Sequence, residues 1–266
     1  MVKFIKTIKY LNLNFQILYI NLKESKERNK LLKNSLSKLK FPKHKIRRVE
    51  GIRIKKLSNK TKFKNLNKGE IGCFKAHINC LKKAAKSKIP SLILEDDALI
   101  TKKNIKFITD FLELRNYSNF NNLNNYLLFL SSWRPNMVKR YYKNNKFLQN
   151  MYLKMNAKKL FSINKNSIYH IKNNNIIDFI SPMWFISGAT GYLISPNCAK
   201  KLLKLINSEK EINLNFDVYT SSQSKKINIL IPDRNIIKDI KAKSVVGNSN
   251  RNLGNMCNKL GICIKF

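Results

Sequence analysis

Residues 88–101 read KIPSLILEDDALIT, and this stretch decides the fold. Leu92, Ile93 and Leu94 form an apolar run between Pro90 and three consecutive acids, Glu95, Asp96 and Asp97. A short apolar run bounded in this way predicts a buried strand over 91–97 that delivers carboxylates at its C-terminal end. The chain sets 15 Asp and Glu against 53 Lys and Arg, so three acids side by side concentrate a scarce residue type. Adjacent carboxylates repel one another unless a cation or several donors compensate, and hard divalent ions such as Mg2+ and Mn2+ take oxygen ligands of this kind. A solvated acidic turn at a strand end carries the same letters, so the surroundings have to decide.

Upstream, FQILYINL (15–22) predicts a first strand, near-continuously apolar from Ile17 to Ile20 as befits a strand covered on both faces. A helix is expected from 25 to 39, with Leu32, Leu36 and Leu39 in one stripe. HKIRRVEG (44–51) reads as a short strand ending at Glu50-Gly51, and 57–68 as a polar loop. From Gly69, GEIGCFKAHINCLKKAAK predicts a second helix with Ile71, Phe74, Ile78, Leu81 and Ala85 on its buried face. Downstream come a helix over 103–114, a strand over 126–133, a return to strand character over 179–196, and a last strand over 227–232. Ser195-Pro196 supplies an N-cap and an N1 proline for a helix after the third of these. Strands alternating with helices predict an α/β domain with a mostly parallel central sheet. A single domain is expected over 1–266. Within it, the Lys/Asn/Tyr-rich residues 134–175 read as an inserted lobe or flexible loop beside the active site, and 246–266 as a basic tail.

The formal net charge of +38 invites a nucleic-acid or anionic-membrane reading. Lys, Asn and Ile crowd a chain with only 8 Gly and 6 Pro, which is what an AT-rich coding sequence produces without selection for charge. The lysines are spread through every segment rather than clustered with aromatics, so no specific nucleic-acid site is expected. Such a field would still help to hold a nucleotide diphosphate and would favour peripheral contact with an anionic membrane. No stretch approaches the roughly 20 apolar residues of a membrane span, and Asn12, Asn14 and Gln16 interrupt any signal-like apolar core. Five cysteines make no disulfide framework, which suits a reducing, cytoplasmic setting. Cys73, His77 and Cys80 recur at i, i+4 and i+7; with Cys257 or Cys263 they would make a zinc site, although the spacing matches no finger or ribbon. Buried cysteines acting as small hydrophobes are the plainer account.

Several segments occur in a fixed order: Tyr19-Ile20-Asn21-Leu22 followed by Arg28, then Val49-Glu50-Gly51, then Gly69-Glu70-Ile71-Gly72-Cys73 with Ala76-His77, then Ile93-Leu94-Glu95-Asp96-Asp97. Downstream stand Gly188 to Ser195, Ala199 to Leu202, and Asn215-Phe216-Asp217. Together they resemble glycosyltransferase family 25, the group of lipopolysaccharide and lipooligosaccharide galactosyltransferases and collagen galactosyltransferases. The resemblance covers about residues 15–245, and GEIGC and EDD are its most specific parts. The chain departs from the family pattern at Ala76 (usually Ser), at Glu50 (usually Asp) and at Lys23-Glu24 (usually Asp-Arg). The last departure bears on contacts to the nucleotide base or ribose.

The resemblance implies a GT-A-like fold and an inverting, metal-dependent transfer of a hexose, typically galactose, from a UDP-sugar to a glycan, lipid-linked or protein hydroxyl. On this reading Asp97 is the direct ligand of Mn2+ or Mg2+ and Glu95 a second contact, direct or through water, with Asp96 touching ribose or pointing elsewhere. Strand alternation puts Glu95 and Asp97 on one face unless a turn intervenes. Asn21 and Arg28 are expected to meet the uridine or its phosphates, with Glu50 beside them and Gly51 permitting close backbone approach. Asp217 is the expected base for the acceptor hydroxyl, a capping Asp being the alternative. Glu70 and His77, seven apart on one helix face, are expected to order the region under the metal. Trp133 and Trp184 are acceptor platforms or core residues. A different class also fits the composition: a catalytically lapsed basic relative that holds nucleic acid or anionic membrane by charge alone.

Overall fold

A computed structural model describes residues 14–58, 61–115, 124–131, 168–171, 174–179, 188–224, 226–232 and 235–240. Its centre is β3 (Ser91–Glu95), whose first four residues are all buried. β1 (Gln16–Asn21) lies parallel to β3 with Leu18 opposite Ile93, and β2 (Ile46–Glu50) lies parallel to β1 on the far side. Beyond β3 come β8 (Gly191–Ile194), β5 (Tyr126–Phe129), β9 (Asn228–Pro232), β7 (Asn174–Phe179) and β6 (Ile168–Ile171), giving one sheet in the order β2-β1-β3-β8-β5-β9-β7-β6. β8 is antiparallel to both neighbours, β9 is parallel to β5, and β7 is antiparallel to β9 and β6. Six of these eight strands therefore run one way and two, β7 and β8, against them. The fold is α/β with a mostly parallel central sheet, consistent with a GT-A-like architecture.

Alternation along the strands builds two cores. Ile17, Tyr19, Leu92 and Leu94 face one layer with α1 (Lys26–Lys38) and α3 (Lys102–Arg115). Leu18 and Ile93 face the other, with α2 (Lys68–Ala85) and α4 (Pro196–Ser208). The Ser195 hydroxyl oxygen accepts from Cys198 N as the α4 cap, with Pro196 in the first turn, and the same oxygen accepts from Tyr126 N of β5. One side chain thus ends β8, starts α4 and ties both to the next strand. A short helix, α5 (Phe216–Ser222), packs against α2.

The structure also redraws several boundaries. The strand expected over 91–97 stops at Glu95; Asp96 and Asp97 form a turn into β4 (Ala98–Leu99), which pairs with β10 (Lys238–Asp239). β5 ends at Phe129, not 133, because the Leu130 carbonyl accepts from Ile236 and Ile237 N–H groups that cap that edge. Of the 134–175 segment, residues 168–171 (β6) and 174–175, the start of β7, lie within the described residues, where β6 pairs antiparallel with β7 at the sheet edge. Trp133, Trp184, Cys257, Cys263 and the 246–266 tail lie outside the described residues. Among the described residues, no helix is long and apolar enough to cross a membrane.

Helix α2 approaches the segment after β2 so closely that a Cβ on Gly72 would sit 2.1 Å from the Ile52 carbonyl oxygen. Glycine at this place in GEIGC is therefore demanded by backbone contact, which no rotamer can relieve. Gly72→Ala should cost about 1–3 kcal/mol through forced separation of the two segments, read as a lower denaturant midpoint; an unchanged midpoint would show that the contact is not made.

Candidate active site

The C-terminal ends of β1, β2 and β3 lie together, and β1 stands between the other two. In an open parallel arrangement the crevice where the strand order reverses is the natural ligand site. A cleft of about 370 Å3 opens there, walled by Asn21, Arg28, Gly51, Arg53, Lys68, Cys73 and the three acids Glu95, Asp96 and Asp97, among others.

Strand parity sends the acids to different partners. Glu95 has the parity of Ile93 and faces α2: its Oε1 lies 3.2 Å from His77 Nε2 and accepts from Cys73 Sγ at 3.8 Å. Asp96, on the opposite face, meets α1: Arg28 binds its Oδ1 at 2.5 Å, and Asn21 Nδ2 donates to its Oδ2 at 2.7 Å. Asp97, which strict alternation would have put beside Glu95, is swung by the turn to Asp96's side, where the same Arg28 nitrogen lies 2.9 Å from its Oδ2. Ile240 N donates to the Asp97 carbonyl at 2.7 Å and holds the turn from behind.

Asn21 is almost fully buried and fully engaged. Its Nδ2 also donates to the Ser25 carbonyl, while its Oδ1 accepts from Arg48 Nε at 3.1 Å. Two buried atoms among the cleft-lining side chains have no protein partner: Asp97 Oδ1 and Arg28 Nε. An unpartnered buried acceptor beside an unpartnered donor is costly unless a ligand supplies the missing bonds. The donor set, three carboxylates with oxygen ligands only, suits a hard divalent cation at Asp97 Oδ1.

Burial and the neighbouring acids push the Asp97 carboxyl up to about 7, with Arg28 working against them. Asp96 is raised too, by burial, although Asn21 and Arg28 oppose the shift. Burial would also raise Glu95, but the His77 hydrogen bond and charge, Arg28 and the Cys73 thiol outweigh it and hold Glu95 below its usual value. The Cys73 thiol is pushed well up by burial and by the Glu95 and Asp217 charges.

Other expected residues fall differently. Gly51 lines the cleft, and its N–H donates to the Asn21 carbonyl, so the β1 and β2 ends are locked together. Glu50 is exposed at the end of β2 and is not among the lining residues. Glu70 closes a capping box at the start of α2, its N–H donating to Asn67 Oδ1 and its Oε2 accepting from Asn67 N. The pattern Asn67-x-x-Glu70 carries that signal in the sequence. His77 is wholly buried, stacked on Phe216 at 4.2 Å and 6°, with Nδ1 3.0 Å from the Tyr192 hydroxyl. Asp217, in the first turn of α5, accepts from Gly188 N at 2.6 Å and from Val218 N at 2.9 Å; burial raises its carboxyl despite these donors. It lies outside the cleft lining, close enough to Glu95 and Cys73 for their charges to interact. Cys73, His77 and Cys80 do not gather as a three-ligand group among the described residues. Cys80 is buried in the apolar core, and Glu95 takes the third place, with the ligand atoms of Cys73, His77 and Glu95 all within 4.8 Å. Arg53 and Lys68 also line the cleft; Arg53 Nε pairs with Glu24 at 2.5 Å, so the Lys23-Glu24 departure sits at the cleft rim.

A carboxylate-walled crevice at the strand-order reversal of an α/β sheet defines the class to which such a chain can belong: proteins that hold a ligand across the ends of parallel strands. The family model described as glycosyltransferase family 25 (LPS biosynthesis protein) matches residues 14–220, from β1 into α5. The chain belongs to that family and is a glycosyltransferase. Among curated proteins no match is found.

Because the folded chain holds the Asp97 proton more tightly than the unfolded one, the stability from that proton is complete below about pH 4 and is lost as pH rises through about 7. Without divalent cations, Asp97→Asn should therefore gain in melting temperature over the parent between pH 4 and 7, with a constant difference above. An equal difference at pH 4 and pH 8 would show that Asp97 titrates normally.

Proposed function

We propose that the chain transfers a hexose, galactose, from a UDP-sugar to a hydroxyl of a glycan, lipid-linked or protein acceptor, with inversion and with a divalent cation. The observation that carries this reading is the buried, unpartnered Asp97 Oδ1 in a cleft where three carboxylates meet basic side chains. Asp97 would hold Mn2+ or Mg2+, with Glu95 as the second carboxylate; bound there, the ion neutralises charge on the departing diphosphate. Arg28, released in part from Asp96 and Asp97 by that ion, would offer its guanidinium to the phosphates, a geometry for which Arg is suited. Arg53 and Lys68 stand at the same wall and add positive potential. Asn21 acts by position: it fixes the Asp96 carboxylate and the chain at the end of β1.

Inversion needs one displacement. The acceptor oxygen attacks the anomeric carbon, the bond from that carbon to the phosphate oxygen breaks, and the acceptor proton passes to a base. Asp217 is the base of this proposal, since its raised carboxyl is a better proton acceptor than an ordinary Asp and its two backbone donors fix its orientation. A cytoplasmic position against an anionic membrane surface, favoured by a net charge of +38, belongs to the same proposal.

The test is UDP release from UDP-galactose and, separately, UDP-glucose, with and without Mn2+. Release with one donor, abolished by chelator and lowered about 100-fold or more in Asp97→Ala, is the expected outcome. Chelator-insensitive release would sink the metal assignment. Asp217→Asn should lower transfer to acceptor about 10²–10⁴-fold while retaining stabilisation by UDP and Mn2+ in a thermal melt; equal transfer rates would remove Asp217 from the base role.

A further inference from the structure

We propose that Cys73, His77 and Glu95 form a second cation site, for a thiophilic ion such as Zn2+, which competes with the hard-cation site for Glu95. The three ligand atoms come from two elements: Cys73 and His77 lie one turn apart on α2, and Glu95 ends β3. All three atoms lie within 4.8 Å of one another, with His77 Nε2 3.2 Å and Cys73 Sγ 3.8 Å from the same Glu95 Oε1. Bond lengths of about 2.0–2.3 Å around a tetrahedral zinc place neighbouring ligand atoms roughly 3.3–3.7 Å apart. The two edges at Glu95 are thus already close to a zinc site's, and a small side-chain rotation would adjust the third.

The ring that would ligate is held from two sides. Phe216 stacks on it, and the Tyr192 hydroxyl meets Nδ1. A hydroxyl both donates and accepts, so Tyr192 can partner either tautomer and leave Nε2 free of its proton without stranding Nδ1. A partner on the far nitrogen is the usual device for orienting a metal-ligating histidine. On binding, the Cys73 sulfur–proton bond breaks, the proton goes to solvent and the sulfur binds the ion. One thiolate, one carboxylate and one neutral imidazole then balance the two positive charges. Cys73 and Glu95 line the cleft, so the fourth position opens toward the donor site. Sulfur and imidazole select zinc over Mg2+ and Mn2+, whereas Asp96 and Asp97 offer only oxygen.

Functionally, zinc would withdraw Glu95 from the carboxylate group that serves the transfer proposed above. Only that inhibitory consequence rests on the transfer reading; binding does not. Chelator-treated protein is titrated with Co2+ as a spectroscopic stand-in for zinc. A sulfur-to-cobalt charge-transfer band is expected in the parent and in Asp97→Asn, displaced by Zn2+ and not by Mg2+, and absent in Cys73→Ser, whose zinc affinity should fall at least about tenfold. Unfolding curves establish that Cys73→Ser is folded. Independently, on the parent chain, Zn2+ should slow alkylation of Cys73, read at the Cys73 peptide by mass spectrometry. A charge-transfer band retained in folded Cys73→Ser, or alkylation of Cys73 indifferent to Zn2+, overturns the proposal. A cobalt site with no UDP release from any donor would leave this site standing and overturn the transfer reading instead.

Discussion

One guanidinium holds the end of β3 together. Asp96 and Asp97 are consecutive, the first buried and the second half-buried; two like charges about 4 Å apart repel by roughly 4 kcal/mol at the effective dielectric of a protein surface. Arg28 sets a single nitrogen between them, and Asn21 takes the remaining oxygen of Asp96. Remove that clamp and the turn loses its reason to stay tight, the Ile240 bond behind it loses its anchor, and the β4–β10 ribbon loses its starting point. The clamp is also incomplete by one donor, Arg28 Nε, and one acceptor, Asp97 Oδ1, neither of which has a protein partner.

Strand parity then divides the labour. Glu95 and Asp96 are neighbours in sequence, yet one is committed to α2 through His77 and Cys73 and the other to α1 through Arg28. The carboxylate cluster is therefore the point where both helical layers touch the cleft. Opposite directions of shift record the division: against its burial the Glu95 carboxyl is lowered by its donors, and the Asp97 carboxyl is raised by burial and by its acidic neighbours, with Arg28 only partly offsetting them. The two proposed cation sites would meet at Glu95, because that residue both lines the cleft and contacts His77 and Cys73 on α2.

Much of this was legible in the sequence, and what was not has a common cause. The β3 run, the α2 stripe, the Ser195-Pro196 cap and the EDD cluster follow from local periodicity and capping chemistry. The direction of β8 between β3 and β5 is not local: GYLI reads alike in either orientation, and only the sheet order makes it antiparallel. Gly72 is required by a carbonyl 20 residues away, at Ile52, which no turn signal announces. The ion pairs of Arg28 were not legible because its partners, Asp96 and Asp97 in the turn after β3, are about 70 residues downstream. The partner of Glu70 is only three residues away, and the Asn67-x-x-Glu70 pattern is sufficient to name it as a cap of α2, the helix that carries His77. Glu50 was expected at the cleft through the resemblance of Val49-Glu50-Gly51 to the family pattern, but it is exposed at the end of β2 and only Gly51 lines the cleft.

His77 connects the two ends of the chemistry. Its ring lies flat on Phe216, the residue before Asp217, and Phe216 is pinned edge-on to Phe74 at 5.5 Å. The other edge of the imidazole meets Glu95. The proposed base on α5 and the carboxylate at the end of β3 are thus registered through one buried ring, although they lie on different elements. A displacement of His77 would move α5 against β3 and alter the separation of base and donor, and effective alignment of reacting groups is sensitive to shifts of about 1 Å. From α2 the buried ring thus touches β3 through Glu95, β8 through Tyr192 and α5 through Phe216.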